Sequence, residues 1–349
     1  MAHRFSNNPL ITPESAVPTH PDWEVLGTFN PGAFRMGDQI NLLVRVTERP
    51  KQVEPERIRI PMLEQADGQW QLTYRRFSKS DPNVDWQRDP RFLYYGDETF
   101  DVIYSHLRIA RSADGKHFHL DDKPTFCGEE ELTLYGIHDA RVLNLDGIWQ
   151  VLYTGNSHWG TPAFRATTED FVSFEPKGVL FPPDNKDIAL FPEKIYGRYY
   201  ALHRPAASYF ESFNIWLAES ENLDAWGGHT PLLSVRRGHW DGKRIGCGAE
   251  PIKTSEGWLE LYHGSDGTDY HMGAFLLDLE NPRVVKARSA EPFLSPETEY
   301  EKNGFFSNVV FSNGHVMKDE NTLYVYYGGA DRVSAGLEIT LGELFDTLR

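Results

Sequence analysis

The chain has 349 residues, 40% of them hydrophobic, 25% charged and 13% aromatic, with 29 Gly and 22 Pro. This composition supports a packed core, and frequent aromatics and turn formers favour short strands over long helices. A formal net charge of −16 with no Lys/Arg cluster argues against a nucleic-acid partner, because such a surface repels phosphate backbones. No run of 18 apolar residues offers a membrane span, and the opening MAHRFSNNPLITPESAVP lacks the apolar stretch of a signal peptide. A cytoplasmic chain without membrane contact is therefore expected. Two cysteines, Cys127 and Cys247, are too few for a disulfide framework or a structural zinc site.

In chain order, NPGAFRMGDQINLLVRV (30–46) reads as two β-rich runs around a turn at Gly37. A Pro- and charge-rich stretch over 48–100 interrupts this unit before its third strand, SHLRIARS (105–112). The same grammar returns in HDARVLNLDGIWQVLYTG (138–155) and IALFPEKIYGRYYALHRP (188–205). It returns again in AEPIKTSEGWLELYHG (249–264) and NVVFSNGHVMKDENTLYVYYGG (308–329). Third strands follow as TPAFRATT, FNIWLAES, HMGAFLLD and SAGLEITL, and KGVLFPP and TPLLSV read as fourth strands. The final LGELFDTLR reads as a short closing helix. Five copies of one antiparallel unit predict an all-β, five-bladed β-propeller with an insertion in the first blade. Residues 1–349 then form one domain. A decorated β-sandwich is the alternative, but it does not require five copies of one hairpin.

In a propeller the first strand of each blade lines a central channel. The starts of these strands read Asn30-Pro31-Gly32, His138-Asp139-Ala140-Arg141, Asn185-Lys186-Asp187, Gly248-Ala249-Glu250-Pro251 and Ser307-Asn308. Carboxylates and a lysine converging on one channel mouth suit a carbohydrate site, where carboxylates move protons and aromatic faces pack on sugar rings. Polar strand caps without chemistry would read alike residue by residue. No metal-ligand spacing stands out among the 13 His, and no metal or organic cofactor is expected.

These stretches resemble glycoside hydrolase family 130, the β-mannoside phosphorylases and β-mannosidases. The resemblance runs from Asn30 to Asp331 through FNPGAF, LLVRV, SHLRIARSADG, YGIHDARV, FPPDNKDIALFPEKI, LHRP, NIWLAES, GWLELYHG, GAFLLDLENP and YVYYGGAD. It implies a five-bladed propeller and inversion by single displacement, with the general acid taken from a Glu-Asp-Pro-Arg motif. Here that motif is His138-Asp139-Ala140-Arg141, which makes Asp139 the acid. Arg88-Asp89-Pro90-Arg91 matches more literally but lies in the insertion, so Asp89 reads as a loop or binding residue. By resemblance Asn30, Arg45 and Asp331 hold the mannosyl unit. Arg91, Arg141, Asp187, Arg204, Tyr262 and His263 are further candidate substrate contacts.

Phosphate or water as nucleophile turns on the cations near the reacting carbon. Lys186 and His203 match two phosphate ligands of the phosphorylase branch, but Pro162 stands where that branch carries an Arg, and Arg165 should face away. Glu250 and Glu211 add carboxylates that would repel phosphate and could activate water. The reading that follows is an inverting β-1,2-mannosidase, with Glu250 or Glu211 as base. The ERP ending of LLVRVTERP supports the linkage. A β-mannoside phosphorylase, with inorganic phosphate as co-substrate, is the first alternative and a non-catalytic sugar-binding propeller the second. A five-bladed furanosidase would use three carboxylates, but this chain lacks the N-terminal carboxylate opening expected of that group. A mannose-containing oligosaccharide is the expected partner, and association into a homo-oligomer is left open.

Overall fold

The computed structural model describes residues 2–128, 130–207, 209 and 213–349. The chain is all-β, with five main antiparallel sheets laid out in sequence order, four of them four-stranded and the fourth carrying a short fifth strand, Ile252–Lys253. The first contains Trp23–Met36, Gln39–Pro50, Tyr104–Ser112 and His119–Leu120. The second contains Ile137–Leu145, Ile148–Gly155, Ala163–Thr168 and Glu175–Phe181. Asn185–Leu190, Tyr199–Pro205, Ile215–Ser220 and Trp226–Leu233 make the third. The fourth runs through Arg244–Cys247, Trp258–Ser265, Tyr270–Leu277 and Val285–Arg288. The fifth takes Val310–Met317, Thr322–Gly329 and Val333–Thr340 from the C-terminal region, and its outer strand is His3–Arg4 from the chain start.

Alternating apolar positions on both faces of each sheet build five separate cores, each shared by neighbouring sheets. Phe34, Leu107 and Ile109 meet Val142, Val151 and Phe164 between the first and second. Leu152 and Leu143 meet Ile188 and Ala201 between the second and third. Phe191, Leu202 and Leu217 pack on Ile245, Trp258 and Phe275. Leu261 and Met272 pack on Val310 and Val325. Val316, Tyr324 and Tyr326 then pack on Ala33, Leu42 and Val44, which joins the fifth sheet to the first and closes a ring. The strand His3–Arg4 pairs with Leu337 and Glu338, so the two ends of the chain complete one sheet.

The interrupting stretch begins after Pro50 and carries its own structure. A hairpin, Arg57–Ala66 with Gln69–Ser78, stands beside a small sheet of Val84–Asp85, Phe92–Tyr95 and Glu98–Asp101. Ile60, Met62, Leu93 and Phe100 bury a core of their own. The expected closing helix is present as Leu341–Asp346, with Thr340 capping it through Glu343 N–H. Among the described residues, no helix is long and apolar enough to cross a membrane.

Candidate active site

Three innermost strands share one local irregularity. Pairing slips between Phe29 and Gly32, between His138 and Arg141, and between Lys186 and Ala189. Inside each slip the first residue is left-handed: Asn30 at φ 49°, Asp139 at 53° and Asp187 at 55°. Asn and Asp tolerate this conformation, and the bulge turns a side chain out of the sheet's alternation. The repeat thus delivers one polar side chain per strand to the same end of the ring.

All three residues line a cavity of about 490 Å³, together with Arg45, Arg91, Asp101, Lys186, Arg204, Arg244 and Asp331. Phe92, Tyr270, Phe305 and Phe306 add aromatic walls. Asp139 Oδ1 accepts hydrogen bonds from Asn30 Nδ2 at 3.0 Å and Arg45 Nη1 at 3.3 Å. Its Oδ2 has no partner among the described residues. Arg45 is fixed by Ser105 Oγ at 3.1 Å, by the Phe29 ring at 4.7 Å, and by His138 Nε2 at 3.3 Å. Burial, with Arg45 and Lys186 nearby, keeps that imidazole neutral.

Asp187 is 3% exposed and receives Arg141 Nη2 at 3.2 Å, Arg204 Nη1, and His263 Nε2 at 3.3 Å. Burial opposes its ionisation, but Arg204, His263 and Arg141 outweigh burial and hold the carboxyl well below its ordinary range. A β-carbon at Gly246 would overlap both Asp187 Oδ2 and His263 Nε2, so this approach requires glycine.

Two cations differ from the rest. Lys186 has no hydrogen bond or ion pair among the described residues, and Arg244 pairs with no described carboxylate. Arg244 lies over Phe213 at 4.4 Å and donates to Tyr270 Oη at 2.8 Å. The buried Nε atoms of Arg204 and Arg244 also lack partners among the described residues. Burial pushes the Lys186 ammonium below its ordinary value; attraction to Asp139, and to a smaller degree Asp187, opposes the shift, while repulsion from Arg204 and Arg45 adds to it. Burial raises two carboxyls here, Asp101 to about 7 and Asp331 to about 6.

Several sequence expectations are corrected by position. Glu250 does not reach this cavity. It lines a separate one of about 300 Å³ with Arg35, Asn144 and His315, from the later parts of innermost strands, and Trp149 from the second strand of the second sheet. The fourth sheet's innermost strand is Arg244–Cys247, so the reading that began it at Gly248 overlooked Arg244 and misplaced Glu250. His203 stacks on Phe181 at 4.4 Å and contacts Asn185 and His229, away from the cavity. Tyr262 is fully buried and donates to Asp241 at 2.7 Å. Arg141 and His263 support Asp187 from behind rather than lining the cavity, and Arg141 also donates to the Asp139, Cys247 and Gly248 carbonyls. Asp89 is clamped by Arg91, which itself reaches the cavity wall. Arg165 faces away as expected, bonding Gln150 and Asp224. Glu211 lies outside the described residues.

Glu250 has a consequence for stability. Burial raises its carboxyl to about 8, with His315 Nε2 at 4.0 Å and Glu260 also nearby. A raised folded-state value means stability is full below the unfolded value near 4.5 and is lost as pH rises towards 8. Glu250→Gln is expected to flatten this decline and to stabilise the chain by about 2 kcal/mol at high pH. Denaturant unfolding of both proteins across that range checks it.

The family model described as beta-1,4-mannooligosaccharide phosphorylase, glycoside hydrolase family 130, matches residues 44–349. The chain belongs to glycoside hydrolase family 130. A curated member of this family from Listeria innocua, a beta-1,2-mannobiose phosphorylase, is 41% identical over 99% of this chain and 98% of its own length. A 1,2-beta-oligomannan phosphorylase of Thermoanaerobacter sp. is 44% identical over 66% of this chain and 76% of its own. The solved Listeria innocua phosphorylase, in complex with beta-1,2-mannobiose, superposes with a TM-score of 0.93 over 99% of both chains. These relatives overturn the hydrolase reading. Its structural support fails at the same points: Glu250 lies outside the cavity, and Arg244 supplies a cation in addition to Lys186 and Arg204.

Proposed function

We propose that this family 130 chain is a phosphorylase of β-1,2-mannosides, working in the central cavity of a five-bladed β-propeller that spans residues 1–349 as one domain. The observation that carries the reading is the pair of cations, Lys186 and Arg244, that line the cavity holding Asp139 and make no ion pair among the described residues. Cations gathered on one cavity wall repel each other unless an anion sits among them, and phosphate is such an anion. The similarity to the Listeria phosphorylase supports the same nucleophile and linkage.

In this mechanism a phosphate oxygen, held by Lys186, Arg244 and Arg204, attacks C1 of the mannosyl unit from the face opposite the leaving oxygen. The C1–O glycosidic bond breaks as Asp139 passes its proton to that oxygen, directly or through a sugar hydroxyl. Asn30 and Arg45 fix the Asp139 carboxyl, and Asp331 binds hydroxyls of the sugar. One displacement converts a β-mannoside to α-mannose 1-phosphate. The reverse reaction tests the linkage. With α-mannose 1-phosphate and mannose the enzyme should release phosphate and build a β-1,2 bond. A β-1,4 product would overturn the assignment.

Asp101 ties the reaction to pH. Its carboxyl is neutral below about 7 and negative above, and the added charge repels phosphate. KM for phosphate is expected to rise above that pH, and Asp101→Asn should rise less. Both proteins titrated in the same buffers share the ionisation of phosphate itself, so the ratio of their KM values isolates the side chain.

A further inference from the structure

Phe305 and Phe306 stand at the mouth of the cavity, 41% and 40% exposed, edge to face with centroids 5.0 Å apart. Their segment is anchored by the short helix Glu299–Lys302. Within it Glu301 is fully buried and its carboxylate is fully used. Oε1 accepts from Arg4 Nε at 2.8 Å and Tyr327 Oη at 2.8 Å. Oε2 accepts from Arg4 Nη2 at 3.1 Å and from the backbone N–H groups of Glu297 and Thr298. Burial works against the charged carboxyl, and these donors outweigh it, holding Glu301 below its ordinary value. Arg4 also reaches the Ser295 carbonyl at 2.6 Å, and Asn8 Nδ2 donates to Tyr300 Oη at 3.2 Å.

The far side of the segment is tied as well. Val309 N–H donates to the Glu301 carbonyl at 3.0 Å, and Phe306 N–H donates to the Ala330 carbonyl at 3.2 Å, next to Asp331. The start of the chain therefore connects to the aromatic lip through Arg4, which pairs with the buried Glu301 and, at 2.9 Å, with the exposed Glu297. Lys186 and Arg204 stand on the third sheet, apart from this network.

We propose that Glu301 and Arg4 are positioning residues for mannoside binding, holding the Phe305–Phe306 lip as a platform for a sugar ring of the bound mannoside. The proposal rests on the mannoside reading above. It gives the N-terminal strand a role in substrate recognition beyond completing the fifth sheet. Exposed aromatic faces pack on sugar rings only where their backbone is held, and the lip has no packed core of its own.

Kinetics and amide exchange of Arg4→Met, Arg4→Lys and the Phe305→Ala/Phe306→Ala pair test it. Arg4→Met is expected to raise KM for β-1,2-mannobiose about tenfold, with kcat and KM for phosphate within about twofold. Arg4→Lys should recover part of the loss, and Arg4→Met should add nothing in the Phe305→Ala/Phe306→Ala background. Amides of residues 303–309 should exchange faster in Arg4→Met without any ligand. An equal rise in both KM values, full additivity with the phenylalanine changes, or unchanged exchange at 303–309 would overturn the proposal. Should Arg4→Met fail to fold, Arg4→Lys carries the same comparisons. Exchange is measured without substrate, so a wild type inactive on mannobiose would refute the functional reading while exchange still judges the Arg4–Glu301 anchor of the lip.

Discussion

Asp139→Asn is expected to lower kcat for β-1,2-mannobiose about a thousandfold, the scale of a lost general acid. The substitution keeps the side chain's size, and Asn30 Nδ2 and Arg45 Nη1 can still donate to its oxygen, as they do to Asp139 Oδ1 at 3.0 and 3.3 Å. Mannoside binding should therefore change little. The loss belongs to the proton that an amide cannot give. A β-mannoside with a strongly acidic phenol as leaving group needs no such proton, so the variant should cleave it with phosphate at nearly the wild-type rate. Steady-state kinetics on both substrates separate the roles. Equal losses on the two would place Asp139 in binding, and full activity on mannobiose would remove it from the mechanism.

The second large effect concerns phosphate. Arg244→Leu and Lys186→Met each remove a cation that makes no ion pair among the described residues; Asp139 and Asp187, which attract Lys186, keep their bonds to Asn30 and Arg45 and to Arg141 and Arg204. A charge-assisted contact to phosphate contributes about 2 kcal/mol, so KM for phosphate should rise about thirtyfold in each variant. KM for the mannoside should move far less. Arg204 makes a useful contrast, because Arg204→Leu would also strip Asp187 of a neighbour and disturb the fold. Initial rates over a matrix of phosphate and mannobiose concentrations check the split. An unchanged phosphate KM in both variants would place the anion elsewhere.

The fold was legible in the sequence because the unit repeats. Five hairpins with the same turn chemistry mark five sheets, and the apolar alternation within them builds five matching cores. The ring's closure was not legible, since His3–Arg4 is a two-residue strand with no periodicity to detect. Asn30, Asp139 and Asp187 could be found because left-handed bulge positions favour Asn and Asp at the same place in three of the five copies. One feature of the fourth sheet hides Arg244 in the sequence and misplaces Glu250. The fourth innermost strand ends at Cys247, and pairing resumes only at Ile252–Lys253, so aligning on the later segment shifted the strand start. Asp101 ends the small inserted sheet, and nothing in a Pro- and charge-rich stretch marks the one carboxyl that folds back into the cavity. His203 and Tyr262 carry functional side chains by type, and only packing shows that Phe181 and Asp241 engage them.

The choice of nucleophile was the hardest part to read, because it depends on which charges remain unpaired once the chain has folded. A net charge of −16 says nothing of a cavity in which Lys186 and Arg244 lack described counterions. The most direct measurement is product analysis after incubating the purified protein with β-1,2-mannobiose, with and without inorganic phosphate. The account predicts one α-mannose 1-phosphate and one mannose per disaccharide consumed, and no cleavage when phosphate is omitted. Release of two mannose molecules per disaccharide at a rate independent of phosphate would contradict it.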